Sequence, residues 1–513
     1  MKWITVAGIR EAETVAFAQR NLPSYTAMCR AGAAVARQVE TVAARAGIRR
    51  VIVLCGPGNN GGDGFVAARC LAEDGLDVEV SMTCVPAHLR GDAARAWKDM
   101  VAAGLQAHVL PSSDAWLESA WADPAVAPRR AVIVDALLGI GAQGAPSGAV
   151  SAAINWVNGT SQACPVLSVD VPSGLDADTG AAPGAAIRAD ATITFSRPKI
   201  GFAAPSARAY IGHLVVADIG IPNDVLETQA TLPPDATELI AAPEIRAILR
   251  PERALDSHKR SYGHALIVGG CARYPHAPVL AAQAAYRAGC GLVSLDVPAE
   301  SRVAAAVWAP EAIFAEPCPE GAALADFQAI AIGPGMGAIE GARLDFLKRL
   351  VGDAQAPRTV VDADALTALA KLRLEEGWAP DATALRLILT PHPGEAARLL
   401  GVTPQDIQRD RPGAARAIAA NYHAIAVLKG HNTLVAEPGG RLRVCMGGNP
   451  GMATAGTGDL LTGLIAGLLA RGLGTEDAAV LGVYHHALAG DAAAFAHGEE
   501  SLIATDLLPT LRL

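Results

Sequence analysis

Aromatic residues are scarce: Phe, Trp and Tyr make up 4% of the 513 residues, although apolar residues as a class make up 51%. Ala, Val, Leu and Ile must build the cores, and 52 glycines are on hand for tight turns. That composition fits alternating strands and helices, and the length allows several domains. No two cysteines are spaced C-x-x-C. The nine cysteines are scattered from Cys29 to Cys445 and odd in number, which argues for reduced thiols and against a disulfide framework or a zinc site. No run of Lys and Arg could follow a phosphate backbone, and the formal charge is −9. Nucleic acid is therefore not an expected partner. Every apolar run is broken by Gly or a polar residue before it reaches the length of a membrane span. The opening residues, MKWITVAGIREAE, turn charged too early for a secretory signal. A cytoplasmic protein with no membrane contact is expected.

What is present is a series of strands that end in glycine or acid. Residues 8–46 read as helix broken at Pro23. Residues 50–55 read as a buried strand, followed by the loop Gly56-Pro57-Gly58-Asn59-Asn60-Gly61-Gly62-Asp63-Gly64 and a helix from Phe65. Strand, glycine loop, helix is the unit that cradles phosphates. This loop is neither a Walker A loop nor a clean G-x-G-x-x-G. Its doubled Asn exceeds what a plain turn needs, and amide side chains here could ligate a cation or hold a ribose. After strands at 77–83 and 106–110, residues 130–135 form a strand ending in Asp135, followed by a loop through Gly139, Gly141 and Gly144. Residues 165–170 form the next strand, ending in Asp170 and followed by Ser173. Ligands of open parallel sheets bind at the carboxyl ends of strands. The oxygen donors of Asn60, Asp135 and Ser173 suit a hard cation. Residues 223–240 mix acids, prolines and threonines without a period and read as a linker.

A second α/β pattern begins at His264, with strand ends at residues 269–278, 333–337, 362–366, 390–395 and 429–433. It closes on the stretch 447–463, where five glycines precede Asp459 and an apolar stretch begins at Leu460. Glycine lets backbone N–H groups approach a phosphate, and a helix start adds partial positive charge. Asp459 would stand where phosphate and helix meet, placed to take a proton from a hydroxyl. A glycine turn with Asp459 as a plain N-cap is the alternative. On these residues alone the reading is a small-molecule kinase.

In this order the motifs carry a resemblance. Residues 1–222 resemble the YjeF N-terminal family, the NAD(P)H-hydrate epimerases. Residues 241–513 resemble the ADP-dependent NAD(P)H-hydrate dehydratases, with 223–240 between them. The most specific stretches are Asn59-Asn60-Gly61-Gly62-Asp63, Asp362-Ala363-Asp364, Thr390-Pro391-His392-Pro393-Gly394-Glu395 and residues 451–459. The implied fold is α/β with two doubly wound domains, a Rossmann-like N-terminal one and a ribokinase-like C-terminal one. The implied activity is repair of nicotinamide cofactors whose ring has taken up water. One half interconverts the R and S hydrates at C6, and the other restores the S form with ADP.

Carried onto this chain, the resemblance implies that Asn59, Asn60, Gly61, Gly62, Asp63, Gly139, Ile140, Gly141, Ala142, Gln143, Gly144, Ala145 and Asp170 hold the hydrate. Asn60, Asp135 and Ser173 would hold K⁺. Asp170 is the candidate for acid–base catalysis, with Lys199 beside it. In the second half, Lys429, Gly430, His431, Asn432, Thr433 and Gly458 would hold the nucleotide, with Mg²⁺. Ala277, Gly335, His392 and Asp459 would line the hydrate, with Asp459 as general base. The implied partners are the NADH or NADPH hydrate and ADP, and a homo-oligomer is expected. The chain departs from the family pattern at Met28-Cys29-Arg30, at Cys271 and at Ala455, which stands where a glycine is usual and is strained only if its φ is positive. Two rivals stand beside this reading. One is a vitamin-type kinase with an accessory domain; the other is a first half that binds nucleotide without catalysis.

Overall fold

The computed structural model describes residues 1–117, 130–160, 164–233, 235–242, 245, 248, 253–378 and 385–511. The chain divides into two compact units, Met1–Pro234 and Asp235–Leu513.

The first unit opens with the short strand β1 (Trp3–Ile4) and helices α1 (Val6–Gln19) and α2 (Ser24–Ala46). Then come β2 (Arg50–Cys55), α3 (Asn59–Glu73), β3 (Asp77–Met82), β4 (Ala107–Val109), β5 (Val132–Ala136), β6 (Val166–Val169), β7 (Ala191–Phe195), β8 (His213–Ala217) and β9 (Ala230–Thr231). The main sheet has the order β4-β3-β2-β5-β6-β7-β8 and is parallel throughout. Its central strands are apolar runs with both faces covered, as a parallel sheet requires. Chain order reverses between β2 and β5, so the carboxyl ends of those strands open a crevice. β1 and β9 pair antiparallel.

Helix α3 begins at Asn59, six residues earlier than its apolar run predicts. The glycines explain this. A Cβ on Gly61 would lie 2.0 Å from the Gly56 carbonyl oxygen, and one on Gly64 would lie 2.6 Å from the Ala136 side chain. The predicted loop is thus the first turn of a helix pressed onto the strand ends. Residues 223–240 are not the irregular linker expected. Asn223–Gln229 is a helix that buries Val225 and Leu226, and β10 (Thr237–Leu239) joins the second sheet. Seven residues are too few for a hydrophobic period to stand out in sequence.

The second unit adds β11 (His264–Val268), β12 (Leu292–Asp296), β13 (Ile313–Phe314), β14 (Ala329–Ile332), β15 (Arg358–Val361), β16 (Leu387–Leu389), β17 (Ile425–Leu428), β18 (Thr433–Ala436) and β19 (Leu442–Cys445). The order is β10-β19-β18-β17-β16-β15-β14-β11-β12-β13. Strand β18 runs antiparallel to both neighbours, and the other pairings are parallel. Here the order reverses between β11 and β14. Two helices cover this point, Ala277–Arg287 and Thr457–Ala470. They touch backbone to backbone: a Cβ on Gly463 would lie 1.9 Å from the Ala281 carbonyl oxygen. That contact fixes the start of the second helix, where Asp459 lies in the first turn. Gly456, with φ 95°, takes the left-handed turn before it, and Ala455 is not among the non-glycine residues of positive φ. Its Cβ therefore costs the loop no backbone strain.

Candidate functional sites

In the first unit a cavity of about 500 Å³ sits at the reversal of strand order. Residues 57–60 after β2 and 137–142 after β5 line it, together with Asp63, Asp170 and, from α1, Arg10 and Glu13. Asp170 follows β6 in a left-handed conformation, φ 60°. A non-glycine residue is rarely held so, and such strain collects at functional sites. Its Oδ1 accepts from Lys199 Nζ at 2.6 Å, Thr194 Oγ1 at 3.1 Å and the Phe195 amide at 3.2 Å. Lys199, which in sequence could pass for a solvated loop lysine, is 1% exposed. Burial, then the nearby charges of Asp170 and Glu13, push the Asp63 carboxyl well above its ordinary range.

Beneath the cavity floor Asp135 is fully buried. Its carboxylate accepts from Ser173 Oγ at 2.5 Å, the Ser173 amide at 2.9 Å, Ser168 Oγ at 2.8 Å and the Leu137 amide at 3.3 Å. Ser173 Oγ in turn accepts from the Leu138 amide at 2.8 Å, and Asn60 Nδ2 donates to the Leu138 carbonyl at 2.8 Å. Asn60 and Ser173 therefore meet at Leu138, Ser173 links them to Asp135, and each of these Asp135 partners is neutral. Burial raises the Asp135 pKa, while the Ser173, Ser168 and Leu137 hydrogen bonds lower it. A carboxylate so placed, among oxygen donors and without a cationic partner, fits a monovalent cation.

The expected hydrate residues divide. Asn59, Asn60, Asp63, Gly139, Ile140, Gly141, Ala142 and Asp170 line the cavity. Gly61 and Gly62 do not; they pack beneath, against Gly56 and Met28. Gln143, Gly144 and Ala145 lie outside the lining as well, Ala145 packing near Gly184. Sequence reading missed Arg10 and Glu13, because an amphipathic helix without a motif does not say which of its polar residues turn inward.

In the second unit a cavity of about 480 Å³ is lined by Lys429, Gly430, His431, Thr433 and Gly458. These are five of the six expected nucleotide residues. Asn432 is buried instead, with φ 55°, and its carbonyl accepts from Arg411. Arg411 also donates to the Leu428 and Lys429 carbonyls, so one side chain shapes the loop from below. The stretch after β19 lines the same cavity through Gly447, Gly448 and Asn449, held by Asp491 from the Gly448 amide at 3.0 Å and Asn449 Nδ2 at 3.1 Å. His486, left out of the expected site, also lines it. Burial lowers its pKa to about 4, so the neutral ring donates from Nε2 to the Thr457 carbonyl at 2.9 Å.

Asp459, one residue beyond Gly458, belongs to a group of carboxylates around Lys429. Lys429 Nζ lies 2.8 Å from Asp362 Oδ1 and 3.9 Å from Glu395 Oε2. Asp362 is 1% exposed, and accepts further from Thr390 Oγ1 and Thr462 Oγ1, both at 2.8 Å. The neighbouring Asp364 accepts from the Gly337 amide at 2.7 Å. Burial, then the charge of Asp362, raises the Asp459 pKa to about 7, against the opposing pull of Lys429. Sequence could not choose between Asp362 and Asp364; it is Asp362 that holds the lysine. His392 caps the helix Pro393–Leu400, its Nδ1 accepting from the Gly394 and Glu395 amides. Ala277 and Gly335 are neighbours: a Cβ on Gly335 would lie 2.9 Å from that of Ala277. Ala277, Gly335, His392 and Asp459 do not line the 480 Å³ cavity. Among the described residues no group of three His, Cys, Asp or Glu side chains is close enough to cage a metal, and no helix is long and apolar enough to cross a membrane.

Comparison with known proteins finds two family models, one for the YjeF-related N-terminus at residues 24–201 and one for NAD(P)H-hydrate dehydratase at residues 265–512. A bifunctional NAD(P)H-hydrate repair enzyme of Moorella thermoacetica is 39% identical, covering 100% of this chain and 96% of its own. Its counterpart in Coxiella burnetii is 38% identical, covering 98% and 97%, and that of Escherichia coli is 36% identical, covering 98% and 92%. A solved ADP/ATP-dependent NAD(P)H-hydrate dehydratase of Bacillus subtilis, co-crystallised with ATP and Mg²⁺, is 30% identical and covers 54% of this chain and 96% of its own, with a TM-score of 0.47.

Proposed function

The chain belongs to the bifunctional NAD(P)H-hydrate repair enzymes, and we infer that its two compact units divide the two reactions between them. It is an isomerase and a lyase: it interconverts the R and S hydrates, and dehydrates the S form to the reduced cofactor at the expense of a nucleotide. Residues 1–222 are the epimerase half and residues 241–513 the dehydratase half. The observation that carries the second assignment is Asp459, a half-buried carboxyl with a pKa near 7, one residue beyond the nucleotide cavity.

In the dehydratase half the C6 hydroxyl of the hydrate is a poor leaving group. Asp459 removes its proton as the β-phosphoryl group of ADP passes to the oxygen. The phosphate ester then departs, pushed by the ring nitrogen, and loss of a C5 proton restores the double bond. Lys429, Gly430, His431, Thr433 and Gly458 hold the nucleotide, with the Lys429 ammonium beside its phosphates. Mg²⁺ bound with the nucleotide would supply charge neutralisation on the phosphates, beside Lys429. His392, Ala277 and Gly335 form the wall for the hydrate.

In the epimerase half Asn59, Asn60, Asp63 and residues 139–142 with Asp170 form the hydrate site, and Asp170 exchanges protons with the hydrate. Arg10, the one cation lining that cavity among the described residues, faces the diphosphate of the substrate. K⁺ would sit at Asn60, Asp135 and Ser173, where it supplies the positive charge that Asp135 lacks. A homo-oligomer in the cytoplasm is the proposed setting. The test is recovery of reduced-nicotinamide absorbance from hydrate with ADP, ATP or neither, with and without K⁺. Recovery with ADP, accelerated on the R hydrate by K⁺, is expected. Equal rates with no nucleotide would overturn the reading of the second half.

A further inference from the structure

Helix α1 carries no motif, yet it turns Arg10 and Glu13, one helical turn apart, into the cavity that Asp170 also lines. Every hydrogen bond that reaches the Asp170 carboxylate from Lys199, Thr194 and Phe195 falls on Oδ1. Its Oδ2 is therefore left for a proton of the substrate. Glu13 faces the same space, and among the described residues no hydrogen bond pairs it in this way. The reaction needs two groups. C6 of the hydrate carries both the hydroxyl and the ring nitrogen, so inversion there requires one of those two bonds to break and re-form.

We propose that Glu13 is the second catalytic residue of epimerisation, working as the acid that complements Asp170 as base. This rests on the epimerase reading of the first unit. Asp170 Oδ2 takes the hydroxyl proton, the O–H electron pair becomes the second bond of a C6 carbonyl, and the C6–N1 bond breaks. Its electron pair goes to N1, where the carboxamide-conjugated double bond delocalises it, and Glu13 protonates N1. Rotation about the C4–C5 and C5–C6 bonds presents the other face of the aldehyde. In closure N1 attacks C6, Glu13 takes back the N1 proton, and Asp170 returns its proton to the oxygen. The cycle is neutral overall and consumes no co-reactant.

The surroundings agree with these roles. Burial, then the charge of Asp170, raises the Glu13 pKa, opposed by Lys199 and by Arg10 on its own helix. Asp63 from α3 and Asp92 from the helix Gly91–Ala102 line the same cavity, and burial drives Asp63 toward its neutral form as well. One carboxyl is paired with a lysine and the other is driven toward its neutral form, which is how two acids come to serve as base and acid at one pH.

The test is R-to-S epimerisation by the full chain, in the wild type, Glu13→Gln and Glu13→Asp, with chemical denaturation of the same samples as the folding control and dehydration of S hydrate as the control for the second unit. Glu13→Gln is expected to lower kcat by about 10²-fold or more, the scale of a positioned acid, with KM and dehydration little changed. The fall of kcat at high pH, where the acid loses its proton, should vanish with it. Glu13→Asp should regain about tenfold over Glu13→Gln, since it still carries an acid. Wild-type epimerisation with an unaltered Glu13→Gln rate, or a change in KM alone, overturns the role of Glu13. A wild type no faster than the spontaneous reaction overturns the epimerase reading and this inference with it.

Discussion

Each unit places a lysine beside an aspartate at the carboxyl end of a parallel sheet, buried in the first and half-buried in the second, but the lysine serves a different acid in each. In the first unit Lys199 pairs with Asp170, the acid that faces the cavity. In the second Lys429 pairs with Asp362, which is buried beneath, while Asp459 keeps a pKa near 7. The difference matches the two chemistries. In the proposed epimerisation Asp170 takes a proton from the hydrate and returns it to the same oxygen, so a lysine-bound carboxylate suffices. Phosphoryl transfer requires a stronger base for a hydroxyl and a cation near the phosphates. Anchoring Lys429 on Asp362 would meet both needs, because the lysine would stay at the proposed nucleotide site while its neutralising effect on Asp459 is partly spent on Asp362.

Removing the bases breaks the comparison most sharply. Asp459→Asn should lower dehydration by roughly 10²–10⁴-fold while ADP binding, followed by titration, and epimerisation persist. Breaking a lysine pair comes next. Lys199→Met leaves Asp170 without its cation and should cost the first unit about 3–5 kcal/mol, read by chemical denaturation, with epimerisation reduced and dehydration kept. Gly463→Ala forces a Cβ onto the Ala281 carbonyl and should cost the second unit about 1–3 kcal/mol, the usual price of overpacking. The smallest effect sharpens the comparison instead of breaking it. Wild-type dehydration should rise with pH through about 7 as Asp459 ionises. Asp362→Asn removes a charge that raises the Asp459 pKa, so the rise should move to lower pH. Lys429→Met removes one that lowers it, so the rise should move higher. Both shifts are read from kcat against pH.

Much of this site was legible in sequence because strand ends declare themselves. A β-branched run that stops at Asp135 or Asp170, or at Gly333-Pro334-Gly335, marks a carboxyl edge whatever the surrounding helices do. The alternation of strands and helices followed from the same pattern, and the doubly wound form of the two sheets from the family resemblance. What sequence hid was depth. Lys199, in Arg197-Pro198-Lys199, has the composition of an exposed loop, and only tertiary packing buries it. Asn59 and Asn60 look like turn residues, and it is the close approach of Gly61 to Gly56 that winds them into α3. Glu13, Arg411 and His486 reach their sites from helix faces, where periodicity marks the apolar side and is silent about which polar residue turns in. Asn432 failed the other way: its place in a binding motif did not show that its left-handed backbone and buried side chain serve the loop itself.

The central claim is that two separate acids, Asp170 and Asp459, carry two successive reactions on one substrate. It is tested most directly by giving pure R hydrate and ADP to the full chain and following R hydrate, S hydrate and reduced cofactor together. Wild type should yield reduced cofactor. Asp170→Asn should yield it only at the pace of spontaneous epimerisation. Asp459→Asn should equilibrate R with S and stop. Recovery of reduced cofactor by Asp459→Asn within about tenfold of the wild-type rate, less than the loss of a positioned base, would contradict the account.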